Sequence, residues 1–316
     1  MQTAVIADEQ VRVENRQDPV PGNGEILVEV RAAGLNGADL LQRRGRYPAP
    51  PDAPQDIPGL EYAGSVLECG PGATRFQVGD RVMGIVGGGG QAQRVVVHER
   101  LAMPVPDGVD WPAAGCIPEV FCTAYDALFT QAGLRLGEKL LVNGAAGGVG
   151  TAAVQLARLA GARPFATIRH SDMADRVAEL GAVPVVAEAG ADAAVEHGPF
   201  DVVLELVGAA NLKNGLRALA RRGRYCFIGV GGGPKCDFNA LHVMNKRASI
   251  HGSTLRSETL EVKAALAREL ERHVLPHFAT GALRVPVDAT FPLEKVEDAY
   301  EHFAAGHKFG KVALVL

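Results

Sequence analysis

Glycines 144, 147 and 150 sit in the run GAAGGVG, which Asn143 joins to the apolar Leu140, Leu141 and Val142. Lacking a Cβ, such residues let the backbone turn sharply and approach a pyrophosphate, while free N–H groups at a helix start receive the anion. From Val149 apolar residues recur at helical spacing through Leu156 and Leu159, so strand, tight turn and a helix over 148–160 follow in order. That order opens a nucleotide-binding βαβ unit, with Gly144, Ala146, Gly147, Gly148, Val149 and Gly150 as the expected cofactor contacts. The full G-x-G-x-x-G pattern asks for glycine at 145, where this chain has Ala145. At the end of the next strand, an acid would hold a ribose diol and a basic residue a 2′-phosphate; Arg169, His170 and Ser171 stand there. The Arg169 guanidinium is a planar bidentate donor and Ser171 adds a hydroxyl, so NADP, used as NADPH, is the expected dinucleotide. Asp172 reads as a residue of the following helix's first turn.

The elements that must hold these groups alternate from Pro118 onward. Helix is predicted over 119–132, strand over 139–143, helix over 148–160, strand over 164–168, helix over 172–180 and strands over 183–186 and 201–206. Helix 210–220 and strand 223–228 follow. Alternation of this kind gives right-handed crossovers and a parallel sheet, and the apolar Val202, Val203 and Leu204 suit a strand covered on both faces. The first hundred residues are different: short β-branched runs at 11–14, 25–31, 63–67, 80–83 and 92–97, separated by Pro and Gly turns, indicate a barrel-like all-β domain. After residue 257 come a long helix, a second helix near 294–305 and a strand at 311–316, expected to return to the first domain. With 316 residues the chain suits more than one core.

The formal charge of −4 and the lack of any basic block exclude nucleic acid and an acidic membrane surface as expected partners, leaving a small molecule. No apolar run is long enough to span a bilayer, and residues 1–8 lack the basic start and apolar core of a signal peptide, so a cytoplasmic location is expected. Cys69, Cys116, Cys122, Cys226 and Cys236 are odd in number and never in C-x-x-C, which predicts buried free thiols with neither a disulfide framework nor a cysteine zinc site.

Several stretches then fall in a family order: AAGLNGAD at 32–39, GRYP at 45–48, PGLEYAG at 58–64, GDRV at 79–82, IPE at 117–119, Thr123 with Ala124, the glycine turn, and GKV at 310–312. The chain resembles the medium-chain dehydrogenases/reductases over essentially its whole length, and within them the zinc-independent quinone oxidoreductase branch that includes zeta-crystallin. The resemblance implies an α/β protein with a GroES-like β-barrel catalytic domain at 1–117, a Rossmann doubly wound parallel-sheet nucleotide-binding domain at 118–256, and a segment 257–316 that closes the barrel. It places the active site in the cleft between the domains.

In the zinc alcohol dehydrogenases of that superfamily the catalytic metal has Cys and His ligands, and Asn36 and Leu60 look like those positions here. Leucine offers no lone pair and Glu61 alone does not make a tetrahedral site, so no metal is expected. Without a Lewis acid, an electrophilic acceptor such as a quinone or enone takes hydride more readily than an alcohol surrenders it. The resemblance gives Tyr47 the role of shaping the pocket and donating to the carbonyl, and Asn36 that of a catalytic residue fixing the nicotinamide side. Asn36 also stands where it can cap a helix over 37–43, and Asp39 reads as a positioning group. Thr123, the glycine loop with Gly229 and Gly231, Leu255 in the stretch 253–256, and Lys308 are the remaining cofactor contacts implied. The expected function is an NADPH-dependent quinone or enone reductase, a homo-oligomer and specifically a dimer. An enoyl-thioester reductase and a non-catalytic NADPH-binding protein are the alternatives.

Overall fold

The computed structural model describes residues 1–186 and 193–316. The chain divides into two compact units, Met1–Cys122 with Leu255–Leu316, and Thr123–Thr254. The helix Pro118–Tyr125 crosses that division a few residues beyond the point where the sequence pattern changes.

In the first unit, seven strands form one sheet. Val287–Pro292 pairs with Lys311–Val315, which pairs with Glu25–Gly34, followed by Glu61–Cys69, Arg81–Ile85 and Ala102–Pro104; Arg94–His98 adds to Glu25–Gly34. Alternation builds it: Arg94–His98 buries Val95 and Val97 and turns the residues between them outward. The C-terminal segment supplies two of this unit's strands. Among the described residues the ends of the sheet, Val287–Pro292 and Ala102–Pro104, do not pair, so the barrel is not a closed hydrogen-bonded ring. At the Ala102 end a helix takes over: Leu260–His273, whose N-terminus Thr259 caps, donates from Arg268 Nη2 to the Ala102 carbonyl at 2.8 Å. Gln2–Ala7 and Ala102–Pro104 are further strands, beyond the β-branched runs of the sequence.

The second unit is a six-stranded parallel sheet in the order Val183–Val186, Arg163–Ile168, Lys139–Asn143, Phe200–Glu205, Leu219–Phe227, Ser249–Gly252. Strand order reverses between Lys139–Asn143 and Phe200–Glu205, and a ligand crevice in such sheets lies at the carboxyl ends there. Leu140, Leu141, Val142, Val202, Val203 and Leu204 are fully buried, the pattern of central strands covered on both faces.

Two boundaries differ from the sequence reading. The helix expected over 210–220 ends at Ala218, because Leu219 already pairs with Phe200 and opens the next strand. The helix expected over 119–132 widens into a π-helical turn at Asp126–Gln131, where buried Asp126 accepts a 2.5 Å hydrogen bond from Ser253. Of the cysteines, 116, 122 and 226 are buried, but Cys69 is only partly covered and Cys236 is exposed, since it lies in the open loop after Leu219–Phe227 rather than in a core element.

Candidate active site

In the second unit the glycine turn joins Lys139–Asn143 to the helix Gly148–Leu159. Gly144 takes φ +80°, and its N–H donates to Thr167 Oγ1 at 3.1 Å while Ala145 N–H reaches the Thr167 carbonyl at 3.1 Å. A Cβ on Gly150 would stand 2.6 Å from Ala145 Cα, so the helix can approach the turn only with glycine there. Ala145 fills the position where the usual pattern has glycine and is buried; its own backbone is the surface on which Gly150 packs. Ala146, Gly147, Gly148 and Val149 remain partly exposed around the helix N-terminus, where backbone N–H groups lack intrahelical partners. Arg169 lies just past Arg163–Ile168, exposed and with no ion pair among the described residues, and Ser171 opens a short 3₁₀ turn after His170. These residues fit a dinucleotide: an open anion-binding turn, with a cation at the end of the second strand.

A carboxylate that the sequence reading missed organises the neighbouring loops. Glu205 is fully buried and accepts from Asn143 Nδ2 and the Tyr225 hydroxyl, both at 2.8 Å, and from the N–H groups of Val207 at 2.7 Å and Gly208 at 2.9 Å. An acid closing the apolar run 202–204 was the available signal. The loop 205–209 in turn holds the glycine loop: Gly229 N–H donates to the Glu205 carbonyl at 3.1 Å and Gly232 N–H to that of Val207 at 2.7 Å. Gly231 is exposed on that loop, and Thr123 is buried at the first residue of this unit.

The first unit buries a second polar cluster. Lys311 Nζ donates to Glu61 Oε1 at 2.6 Å, Asn36 Oδ1 at 2.6 Å and the Leu35 carbonyl at 2.5 Å. Burial works against its ammonium, but the charge and hydrogen bond of Glu61, with the charge of Asp39, outweigh it and hold the pKa above its ordinary value. Glu61 also accepts from Asn36 Nδ2 at 3.0 Å and, through Oε2, from the Glu119 N–H at 2.9 Å. A Cβ on residue 34 would lie 2.3 Å from Glu61 Oε1, so Gly34 makes room for the carboxylate.

Asn36 is the N-cap residue of the helix Gly37–Arg43, and its side chain is also engaged with Glu61, Lys311 and the Gly34 carbonyl. Asp39 reaches back, accepting from Asn36 N–H at 2.8 Å and from Gly59 N–H at 3.2 Å. Burial first, against those N–H groups and Lys311, pushes its carboxyl up to about 6. The donor set does not suit a zinc ion: Leu60 is apolar and buried, and the oxygens of Asn36 and Glu61 already face an ammonium.

Tyr47 is half-buried beneath Arg256, whose guanidinium lies 5.1 Å over the ring and donates to the Tyr47 carbonyl at 3.0 Å, the Gly87 carbonyl at 2.8 Å and Gln42 Oε1 at 2.6 Å. The Tyr47 phenol has no hydrogen-bond partner among the described residues; burial chiefly, with Glu119 adding and Arg256 opposing, holds it above its ordinary pKa. Arg256 and Leu255 border a small recess of about 10 Å³, room for about one water, with Leu60, Ile85 and Val86 as further apolar wall. The sequence brought Asn36, Tyr47 and Leu255 into this unit but did not reveal Arg256 or Lys311 as their holders. Lys308 lies in the same unit with its ammonium 3.9 Å over the Phe303 ring and donating to the Phe303 carbonyl at 3.1 Å.

Comparison with known proteins follows the same division. Residues 22–107 match the alcohol dehydrogenase GroES-like domain and residues 148–271 the zinc-binding dehydrogenase family. The chain belongs to the medium-chain dehydrogenase/reductase superfamily of oxidoreductases, with its GroES-like domain and NAD(P)-binding Rossmann fold.

Within it, the chain is 32% identical over 306 residues to a quinone oxidoreductase of Lama guanicoe, covering 94% of this chain and 91% of that protein. It is 34% identical over 300 residues to part of the polyketide synthase GfsB of Streptomyces halstedii, covering 93% of this chain and 5% of that one. An alcohol dehydrogenase superfamily protein from Novosphingobium aromaticivorans superposes with a TM-score of 0.88 at 30% identity, covering 100% of this chain and 99% of that one.

Proposed function

We propose that the protein is a zinc-independent, NADPH-dependent reductase of quinones or conjugated enones. The observation that carries this reading is the Lys311–Glu61–Asn36 cluster: an ammonium is held where the superfamily's metal chemistry would need free ligands. Alcohol oxidation then lacks a Lewis acid to ionise the hydroxyl, whereas an electrophilic acceptor needs only positioning and a hydrogen-bond donor. The phenol of Tyr47, without a hydrogen-bond partner among the described residues and held protonated by burial, is that donor. Asn36 acts from within the polar cluster, fixing Glu61 and Lys311 rather than reaching for substrate.

A bound reduced dinucleotide would supply the hydride. Gly144, Ala146, Gly147, Gly148, Val149 and Gly150 form the seat for its pyrophosphate, and Arg169 with His170 and Ser171 the contact to a 2′-phosphate. Thr123, Gly229, Gly231, Leu255 and Lys308 stay as proposed contacts from the family resemblance, Lys308 through the charge it presents beside Phe303. The quinone oxidoreductase relatives support the acceptor class. The likeness to a segment of a polyketide synthase supports the second reading, reduction of a thioester-linked enone.

We also propose a homodimer. Ser249–Gly252 is the edge of the parallel sheet, and Phe238, Leu241, Met244 and Ile250 are exposed in and beside it. Light scattering of the purified protein, with Ile250→Glu as the disrupting variant, checks that assembly. The activity is tested by NADPH oxidation with a benzoquinone, with crotonyl-thioester and with no acceptor. Binding of the dinucleotide without turnover on either acceptor would remove the reductase reading in favour of a binding protein.

A further inference from the structure

The carboxylate of Glu205 faces donors through both of its oxygens. Oε1 accepts from the N–H groups of Val207 at 2.7 Å and Gly208 at 2.9 Å and from Asn211 Nδ2 at 3.2 Å; Oε2 accepts from Asn143 Nδ2 and the Tyr225 hydroxyl, both at 2.8 Å. Five donors aimed at one fully buried group suit the ionised form, which can only accept.

That charge gives the hydrogen bonds beyond it a single direction. With Nδ2 turned to Glu205, Asn143 presents Oδ1 to Thr167, its partner on the neighbouring strand, whose hydroxyl donates to it at 3.2 Å. The Val142 carbonyl, at 3.4 Å, is a weaker acceptor for the same hydroxyl. The Thr167 oxygen is left to accept from the Gly144 N–H at 3.1 Å. Each link therefore donates toward the next, from the first glycine of the turn to the buried charge. A second route reaches the same glycine: Glu205 holds the N–H of Val207, and a Cβ on Gly144 would stand 2.9 Å from Val207 Cγ2.

We propose that Glu205 is a positioning residue for the dinucleotide, fixing Gly144 through Asn143 and Thr167 on one side and through Val207 on the other. Being fully buried, it acts through these residues rather than on the ligand. Held at both points, the turn keeps the free N–H groups at the start of the helix Gly148–Leu159 pre-arranged for a pyrophosphate. The inference rests on the dinucleotide seat of the reading above. Glutamine at 205 would set an amide donor against one of the present donors. If Asn143 turns over in response, its Nδ2 competes with the Gly144 N–H for the Thr167 oxygen.

The test measures dissociation constants for NADPH and NADH by nucleotide fluorescence on the full-length parent and its variants. Glu205→Gln and Thr167→Val should each weaken both dinucleotides alike, by about three- to tenfold, since the pyrophosphate is common to the two. Their double variant should bind no more than about twofold worse than the weaker single, because both changes break one chain. Thr167→Ser, which keeps the hydroxyl, should bind within about twofold of the parent. Arg224→Met separates positioning from stability. Arg224 binds Glu138 and the Ala132 and Gly133 carbonyls beside the amino end of Lys139–Asn143, away from the turn, so its loss should lower the urea midpoint and leave both constants within about twofold. A readout without ligand is deuterium exchange followed by nitrogen NMR. The Gly144 amide should exchange about tenfold faster in Glu205→Gln relative to the central-strand amide of Leu141, a ratio that Arg224→Met leaves unchanged.

If Glu205→Gln does not fold, Asn143→Leu cuts the same chain at its middle link and carries the same expectations and limits. Binding by Glu205→Gln and Thr167→Val within about twofold of a binding parent, with the Gly144 exchange ratio unchanged, overturns this inference alone. A loss of affinity in Arg224→Met as large as in Glu205→Gln also overturns it, by reducing the effect to stability. A parent that binds neither dinucleotide overturns the seat and this inference together.

Discussion

Replacing Lys311 by methionine keeps the length of the side chain but removes an ammonium lying 2.6 Å from both Glu61 Oε1 and Asn36 Oδ1. Glu61 is completely buried, so among the described residues its carboxylate would retain the Asn36 amide and the Glu119 N–H as its partners. Removing one member of a buried ion pair costs about 3–5 kcal/mol, most of it the uncompensated charge left behind. That loss is expected in the urea unfolding transition of the unit that contains Glu61. Surface ion pairs such as Arg100 with Glu261 contribute far less, being screened by water. The paired change Lys311→Met with Glu61→Gln removes both charges, so about half or more of the loss should return, because a neutral replacement of a buried pair is often nearly neutral in stability. Loss of the Lys311 charge should also raise the pH at which Glu119 titrates, since that charge favours the Glu119 carboxylate. A single variant within about 1 kcal/mol of the parent, or a double variant as unstable as the single, would refute the reasoning.

Arg169→Ala should raise the dissociation constant for NADPH by about ten- to a hundredfold, the range of a charged hydrogen bond, and leave NADH unchanged; equal losses for both would remove the ground for choosing NADP. Gly150→Val places atoms where even a Cβ would lie 2.6 Å from Ala145 Cα, so dinucleotide affinity measured by fluorescence should collapse and stability fall by about 1–3 kcal/mol. The pH dependence of stability has a definite sign at Glu119. Its folded pKa, about 8, exceeds the ordinary 4.5, so its contribution is fully present below 4.5 and is lost as pH rises toward 8. Urea unfolding from pH 5 to 8 should therefore show the parent losing stability relative to Glu119→Gln, by at most about 1.4 kcal/mol per pH unit; parallel curves would contradict the assignment.

The glycine turn and the alternation of elements after Pro118 were legible in the chain, because each rests on local spacing: three glycines, apolar periods of 3.6 and 2, and turn residues between them. The exposed Arg169 was readable for the same reason, its position being counted along the chain from the turn. The cluster in the first unit was not. Lys311 lies 250 residues from Glu61 and 275 from Asn36, and only the pairing of the last strand with Glu25–Gly34 brings them together. An isolated lysine before an apolar strand gives no sign that its ammonium is buried.

The end of the helix predicted over 210–220 was misplaced because strand pairing at Leu219, a contact with Phe200, overrode local helix preference. The sequence alone determined that a nucleotide fold was present and that Leu60 offered no ligand to a metal. Only the tertiary structure decided that an ammonium stands beside Glu61 and that Glu119 borders a recess with no hydrogen-bond partner among the described residues, since burial and charge pairing depend on residues far apart in the chain.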